Sequence, residues 1–316
     1  MTRSPLTIDV LRGREVESRH VVDAVIVDAD GTVIDGWGDV DRLVMPRSAA
    51  KPIQALPLVE TGAAAAFELD DVELALACAS HNGEEAHVDR VLAWLHRLGL
   101  STDDLECGDQ APIHQPSLIE LVALGNRPGP EHNNCSGKHS GFLSVCRHVG
   151  IPTAGYINPQ HPLQTEYITP ALSEVCGIDL EGQIPAIDGC GIPVWQIPMT
   201  NLATGWARLT KSSAGSRLLG AMMAEPFFVA GTDRSSTSIM TDPLRSVGVK
   251  GGAEGVFCGV VIEDRLGIAL KVRDGAGRAA DAAMHHILDK LDVVEPESHR
   301  LTNWAGTEVG SVRVAD

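Results

Sequence analysis

Strand-forming sequence sits at the two ends of this chain, and the long middle is helical. That arrangement limits the fold more than any other feature. Residues 21–37 hold two β-branched runs flanking Asp30-Gly31, a strong hairpin signal. From Val247 the pattern returns to strand: Gly255–Ile262 and Gly267–Val272 are joined by a turn near Asp264–Leu266. A terminal amphipathic helix over about Gly277–Leu291 turns Ala280, Ala283, Met284, Ile287, Leu288 and Leu291 inward. Between the ends, helical segments are broken by Pro- and Gly-rich turns, with candidates at 118–124, 140–149 and 162–176. The economical solution is one antiparallel sheet drawn from both chain ends. The terminal helix covers one face and a large helical insertion covers the other. The expected class is therefore α/β in the α+β sense. The expected organisation is a single domain over 1–316, with a sheet subregion at about 8–45 and 240–291 and a helical subregion at about 48–235.

Three local expectations bear on function. A helix over 48–61 carries Ile53, Leu56, Leu58 and Val59, with Pro52 in its first turn or so and Gly62 at its end. Asp70 or Asp71 caps the next helix, which runs into Ser80-His81-Asn82-Gly83. Asn82 then reads as an N-cap with Glu85 three residues on, a capping box for the helix that follows.

The first of these helices begins Arg47-Ser48-Ala49-Ala50-Lys51. Three residues is most of a helical turn, so Ser48 and Lys51 share a face. A serine hydroxyl needs a base within hydrogen-bond reach to act as a nucleophile. A lysine serves when burial and a nearby positive potential depress its pKa, and a helix N-terminus supplies such a potential and free N–H donors for an oxyanion. Taken alone, a Ser-x-x-Lys reads as a capped helix with a solvated lysine, so partners decide the matter. A rival motif precedes it: Asp28-Ala29-Asp30-Gly31-Thr32-Val33 resembles the nucleophile loop of haloacid-dehalogenase-type phosphatases. That chemistry needs a second acidic pair to hold magnesium, and Gly108-Asp109 lacks the following Asp.

Composition narrows the choice. A net charge of −17 argues against nucleic acid or an anionic membrane as partner. The first ten residues lack the apolar core of a signal peptide, and no apolar run reaches the length of a membrane span, which predicts a cytoplasmic protein. Seven scattered cysteines then read as thiols or metal ligands.

Partners for the serine do occur. Ser80-His81-Asn82 supplies a Ser-x-Asn, and Lys250-Gly251-Gly252 precedes a strand. In this order the three motifs resemble the penicillin-binding proteins and serine β-lactamases, with His81 and Gly251 where that group usually carries Asp and Thr or Ser. A second polar cluster runs His132-Asn133-Asn134-Cys135-Ser136-Gly137-Lys138-His139-Ser140-Gly141-Phe142, and Asp188-Gly189-Cys190-Gly191 repeats its character. Gly137-Lys138 is no phosphate loop, because His139 stands where Ser or Thr is required. Cys135 and Cys190 are either zinc thiolates, with a third ligand from Lys138, His139 or His132, or two unrelated buried thiols.

Together with Cys107-Gly-Asp-Gln-Ala-Pro112 and Gly252-Ala-Glu-Gly255, these segments resemble the rhizobial-type (class 3) L-asparaginases over about residues 10–291. The resemblance implies a serine β-lactamase-like fold, a homodimer, and hydrolysis of L-asparagine to L-aspartate and ammonia. It implies Ser48 as nucleophile with Lys51 as its base, and Ser80 with Lys250 as a second Ser-Lys tandem. Lys271, on a neighbouring strand, is the alternative second lysine. It implies zinc held by Cys135, Lys138 and Cys190, and substrate contacts from Arg47, Asn82, Asp188 and His139. A cation and an anion near the substrate also suit the two charges of an α-amino acid. Glutaminase or β-lactam-reactive hydrolysis are alternatives within the fold. A zinc-dependent binding protein without turnover is the alternative outside it.

Overall fold

The computed structural model describes residues 3–241, 243–296 and 299–315. The chain divides into two compact units: residues 1–49, 196–208 and 242–316 form one, and residues 50–195 and 209–241 the other.

The first unit holds an antiparallel sheet with eight strands among the described residues. Its order runs His299–Thr302, Glu308–Val314, Leu6–Arg12, Glu15–Val27, Leu266–Val272, Val256–Val261, Val247–Gly251, with Val33–Trp37 paired beside Glu15–Val27. The sheet is thus drawn from both chain ends, as the sequence predicts. Glu15–Val27 is its spine: Glu15 to Arg19 lies largely at the surface, while Val22 to Val27 is buried throughout, the signature of a strand covered on both faces. The Asp30-Gly31 hairpin forms, and Asp28 closes it by accepting from the N–H groups of Asp30 and Thr32, both at 2.9 Å. Asp28 is therefore the acceptor of its own turn, which accounts for the motif without a phosphatase nucleophile.

Helix Gly277–Lys290 packs on this sheet through Ala280, Ala283, Met284, Ile287 and Leu288. Helix Met199–Leu209, predicted within the helical insertion, belongs through Arg208 to the sheet unit. It lies so close to Leu266–Val272 that a Cβ on Gly267 would stand 1.9 Å from the Ala203 carbonyl oxygen. The terminal strand pair was also beyond the predicted sheet boundary at 291.

One buried charge organises the sheet unit. Asp23, 0% exposed, accepts from Arg42 Nε at 2.6 Å, from Arg273 at 2.8 and 2.9 Å, and from the Asp39 N–H at 3.0 Å. Burial alone pushes its carboxyl up; the Arg273 and Asp39 hydrogen bonds, with the Arg42 charge, outweigh that and hold it below its ordinary value. Asp23→Asn leaves two guanidiniums without their anion and should cost about 3 kcal/mol, read from the urea midpoint at neutral pH. A depressed carboxyl contributes stability above its unfolded pKa and loses it as pH falls through the folded one, so the gap between wild type and variant should close in acid. An unchanged midpoint at neutral pH would show the cluster to be energetically neutral.

The second unit is helical. The predicted helix over 48–61 is broken: a 3₁₀ turn, Arg47–Ala50, leads into helix Lys51–Gln54, and a second helix, Leu56–Glu60, follows. Pro52 and Pro57 each occupy the first turn of their piece, where a missing N–H costs nothing, so the chain restarts instead of continuing. Asp70 caps helix Asp71–Ala77, as expected, and Glu73 completes a capping box with it. The capping box at Asn82 does not form. Glu84 is the N-cap of helix Glu85–Arg97, without a side-chain bond, because the Asn82 amide is engaged elsewhere. Helix Ser136–Val149 is buried from Ser136 through Cys146.

Candidate active site

In the sheet unit, Ser48 is half-buried in the 3₁₀ turn Arg47–Ala50. Arg47 has φ of +50°, a left-handed conformation that costs a non-glycine residue roughly 1–3 kcal/mol and is characteristic of functional turns. Neighbouring groups of the sheet unit hold the turn. Trp206 donates its indole N–H to the Ala49 carbonyl at 3.1 Å. Gly252, two residues beyond Lys250, lies against the same backbone: a Cβ there would approach Pro46 O to 2.8 Å and Ala49 N to 3.3 Å. The end of the Lys250 strand is thereby brought against the turn that carries Ser48. Lys250 is buried and donates to Gly251 O at 2.7 Å. Lys271, the alternative, is half-buried and donates to Glu254 O.

In the helical unit, Lys51 is 1% exposed, and its ammonium donates to Ala79 O, to Ser80 Oγ at 2.8 Å and to Cys135 Sγ at 3.1 Å. Lys51 therefore joins the second serine to the cysteine cluster. The approach depends on Gly137, where a Cβ would stand 2.4 Å from Leu76 O. His81, the unusual middle residue of Ser-x-Asn, is a strut. Its Nδ1 accepts from the Gly83 N–H at 3.1 Å, and Nε2 faces Ser136 Oγ at 2.8 Å, which itself donates to Glu131 O. That chain of donors sets the neutral Nε2–H tautomer.

Cys135, Lys138 and Cys190 converge in the same unit. Lys138, 1% exposed, donates to Cys190 Sγ at 3.0 Å. The Cys190 thiol hydrogen-bonds to Cys135 and, with the charges of Lys51 and Lys138, holds the Cys135 thiol well below its ordinary value against the effect of burial. The same bond, with burial, pushes Cys190 up. Among the described residues no three His, Cys, Asp or Glu side chains converge, so the set is two thiols and an amine.

The sequence matches the description of L-asparaginase II over residues 8–314. The chain belongs to the L-asparaginase II family. That family is one of amidohydrolases. No curated protein matches the chain. Among solved structures, the native form of a protein called Mglu is 11% identical over 86% of this chain and 64% of its own, with a TM-score of 0.48. The asparaginase II chain thus spans just under two thirds of that protein's length. A β-lactamase of Mycobacterium bovis is 16% identical over 86% of this chain and 95% of its own, TM-score 0.42. A β-lactamase of Sphaerobacter thermophilus is 14% identical over 81% and 83%, TM-score 0.36.

Within the asparaginase II chain, the expected substrate contacts fall in different settings. Asp188 is half-buried at the turn of the Ala186–Ile187 and Pro193–Val194 hairpin, its Oδ1 accepting from the Gly189 N–H at 2.6 Å. His139 is fully buried, with Nδ1 2.7 Å from the Tyr156 hydroxyl; burial and the charges of Lys138 and Lys51 hold its pKa well below the ordinary value. Asn82 has both ends of its amide committed: Nδ2 donates to Glu84 Oε1 at 3.2 Å and Thr232 O at 2.9 Å, and Oδ1 accepts from Arg234 at 3.0 Å. Glu84, Thr232 and Arg234 escaped the sequence reading. The usable signal was Gly231-Thr232-Asp233-Arg234, a polar turn after the apolar Val229-Ala230.

Proposed function

We propose that this asparaginase II chain hydrolyses the side-chain amide of L-asparagine to L-aspartate and ammonia through an acyl-enzyme. The observation that carries the reading is Lys51: a buried lysine, three residues after Ser48, hydrogen-bonded to Ser80 Oγ. In this reading Ser48 Oγ attacks the amide carbon as its proton passes to Lys51 in the neutral amine form, which becomes the ammonium. Ser80 relays a proton to the departing nitrogen, which leaves as ammonia, and Lys250 serves as the second base. Water then attacks the Ser48 ester, with its proton taken along the same route, and aspartate is released. Asp188 meets the substrate's α-ammonium group, and Arg47 contacts the substrate beside Ser48.

The donor set at Cys135, Lys138 and Cys190 fits zinc: two soft thiols, one already disposed to ionise, and an amine that coordinates once neutral. Bound there, zinc would orient substrate and stiffen the loops beside Ser80. Cys135→Ser should lower bound zinc below stoichiometry, lower Tm and raise KM about tenfold, while turnover remains measurable. Metal analysis and kinetics on the same preparation check this. Zinc-free wild type with full activity and unchanged Tm would return the cysteines to unrelated thiols.

The direct test is ammonia release from L-asparagine and L-glutamine by purified protein. Faster release from glutamine would make the chain a glutaminase, and release from neither, with zinc bound, would make it a binding protein. No helix among the described residues is long and apolar enough to cross a membrane. From the family resemblance we propose a cytoplasmic homodimer. Sedimentation at the 33.5 kDa of one chain would overturn the dimer.

A further inference from the structure

We propose that Arg234 is the cation that takes the substrate's α-carboxylate, held ready by Asn82. This rests on the amino-acid amidohydrolase reading above. The chain has 42 acidic residues against 25 Lys and Arg, so a half-buried arginine has many anions to choose from. Others find them: Arg42 pairs with Asp23, Arg90 with Asp70 and Glu73, Arg245 with Asp264. Arg234 is half-buried and makes no ion pair among the described residues; its hydrogen bond goes to the neutral amide oxygen of Asn82 at 3.0 Å.

A carboxylate is nevertheless near. Glu84 binds the nitrogen end of the same amide, and its two oxygens are engaged away from the guanidinium: Oε1 by Asn82 Nδ2 and the Thr232 N–H at 2.8 Å, Oε2 by the Thr232 hydroxyl at 2.7 Å with His114 Nδ1 3.8 Å away. Asn82 thus stands between guanidinium and carboxylate, one end of its amide to each. The arrangement orients Arg234 without cancelling its charge. Of the five N–H donors of a guanidinium, the Asn82 bond uses one, which leaves a fork suited to a bidentate carboxylate.

The placement ties this cation to the reacting groups. The Ser80 N–H donates to Val229 O at 2.9 Å, and Asn82 Nδ2 donates to Thr232 O, so segment 229–234 is strapped to the loop that carries Ser80. The strap is backbone-specified. Gly231 has φ of +107°, and a Cβ there would stand 2.5 Å from Glu84 Oε1 and 2.6 Å from Asn82 Nδ2. Asp233, immediately before Arg234, is held at φ of +59°. Left-handed non-glycine residues persist where the surroundings over-determine them, and here they fix the base of Arg234.

The ligand class is an amino acid with a free α-carboxylate, so the test compares L-asparagine with 3-aminopropanamide, which lacks only that group. The analogue is read as turnover or, where it is not turned over, as competitive inhibition. Arg234→Gln should raise KM for asparagine by about tenfold to a hundredfold, the range for losing hydrogen bonds to a charged group, and shift the analogue less than about threefold. The wild-type preference for the carboxylate would collapse. Arg234→Lys, with charge but no planar fork, should fall between, which also guards against a misfolded glutamine variant. Arg47→Gln runs in parallel. Equal losses on both compounds, or a preference lost in the Arg47 variant and intact in the Arg234 variants, would overturn the assignment. Wild type that releases no ammonia from asparagine overturns the amidohydrolase reading and this inference together. Active wild type with an unaltered Arg234→Gln overturns this inference alone.

Discussion

Lys51→Met should lower kcat for ammonia release from asparagine by about 10³- to 10⁴-fold, the scale on which members of a catalytic unit fail. Methionine keeps the length and apolar stem of the side chain, so the buried slot stays filled. What disappears is the amine that touches Ala79 O, Ser80 Oγ and Cys135 Sγ at once. Because Lys51 also follows Ser48 by three residues in the chain, a single substitution should disable proton transfer at both serines. The loss should sit in kcat, with KM little moved and far-UV circular dichroism unchanged. A variant with more than a few percent of wild-type kcat would remove Lys51 from the proton path.

Ser48→Ala should be as damaging, by about 10³- to 10⁴-fold, because the reading gives Ser48 the bond-forming role. The double variant Ser48→Ala, Lys51→Met should be little worse than either single, since both act in one step. Multiplied losses would assign them to different steps. Ser80→Ala supplies the comparison: its relay role predicts that acyl-enzyme can still form on Ser48, visible as a mass increase after a rapid quench. If the adduct forms in Ser48→Ala and not in Ser80→Ala, the two serines exchange roles, and the Lys51–Ser80 hydrogen bond becomes the nucleophile–base pair itself.

Much of this was written in local sequence. The Asp30-Gly31 turn, the Asp70 cap and the terminal helix each depend on residues a few positions apart, and each formed. The motif residues around Ser48, Ser80 and Cys135 were legible for the same reason: their spacing is short. What escaped is non-local. Glu308–Val314 is a half-exposed strand whose pattern is weak until it pairs with Leu6–Arg12 from the far end of the chain. Helix Met199–Leu209 has the sequence of any amphipathic helix, and only Gly267 reveals which surface it meets. Asn82 looked like a helix cap because Glu85 follows at the right distance. Its amide went instead to Thr232 and Arg234, some 150 positions on, which no window around Asn82 contains.

The central strand pairing also sets the order in which the protein can be made. Asp23 waits for Arg273, 250 residues later, and Val22–Val27 waits for Leu266–Val272. At a synthesis rate of roughly 5–20 residues per second, the ribosome needs about 12–50 s to supply the partner. Through that interval this near-continuous apolar strand, with a carboxylate in its middle, has only its local neighbours Leu6–Arg12 and Val33–Trp37 to pair with, while residues 50–195 have already emerged and can condense. The charge that locks the finished sheet is then a solubilising group on the nascent chain, hydrated for as long as the strand stays open.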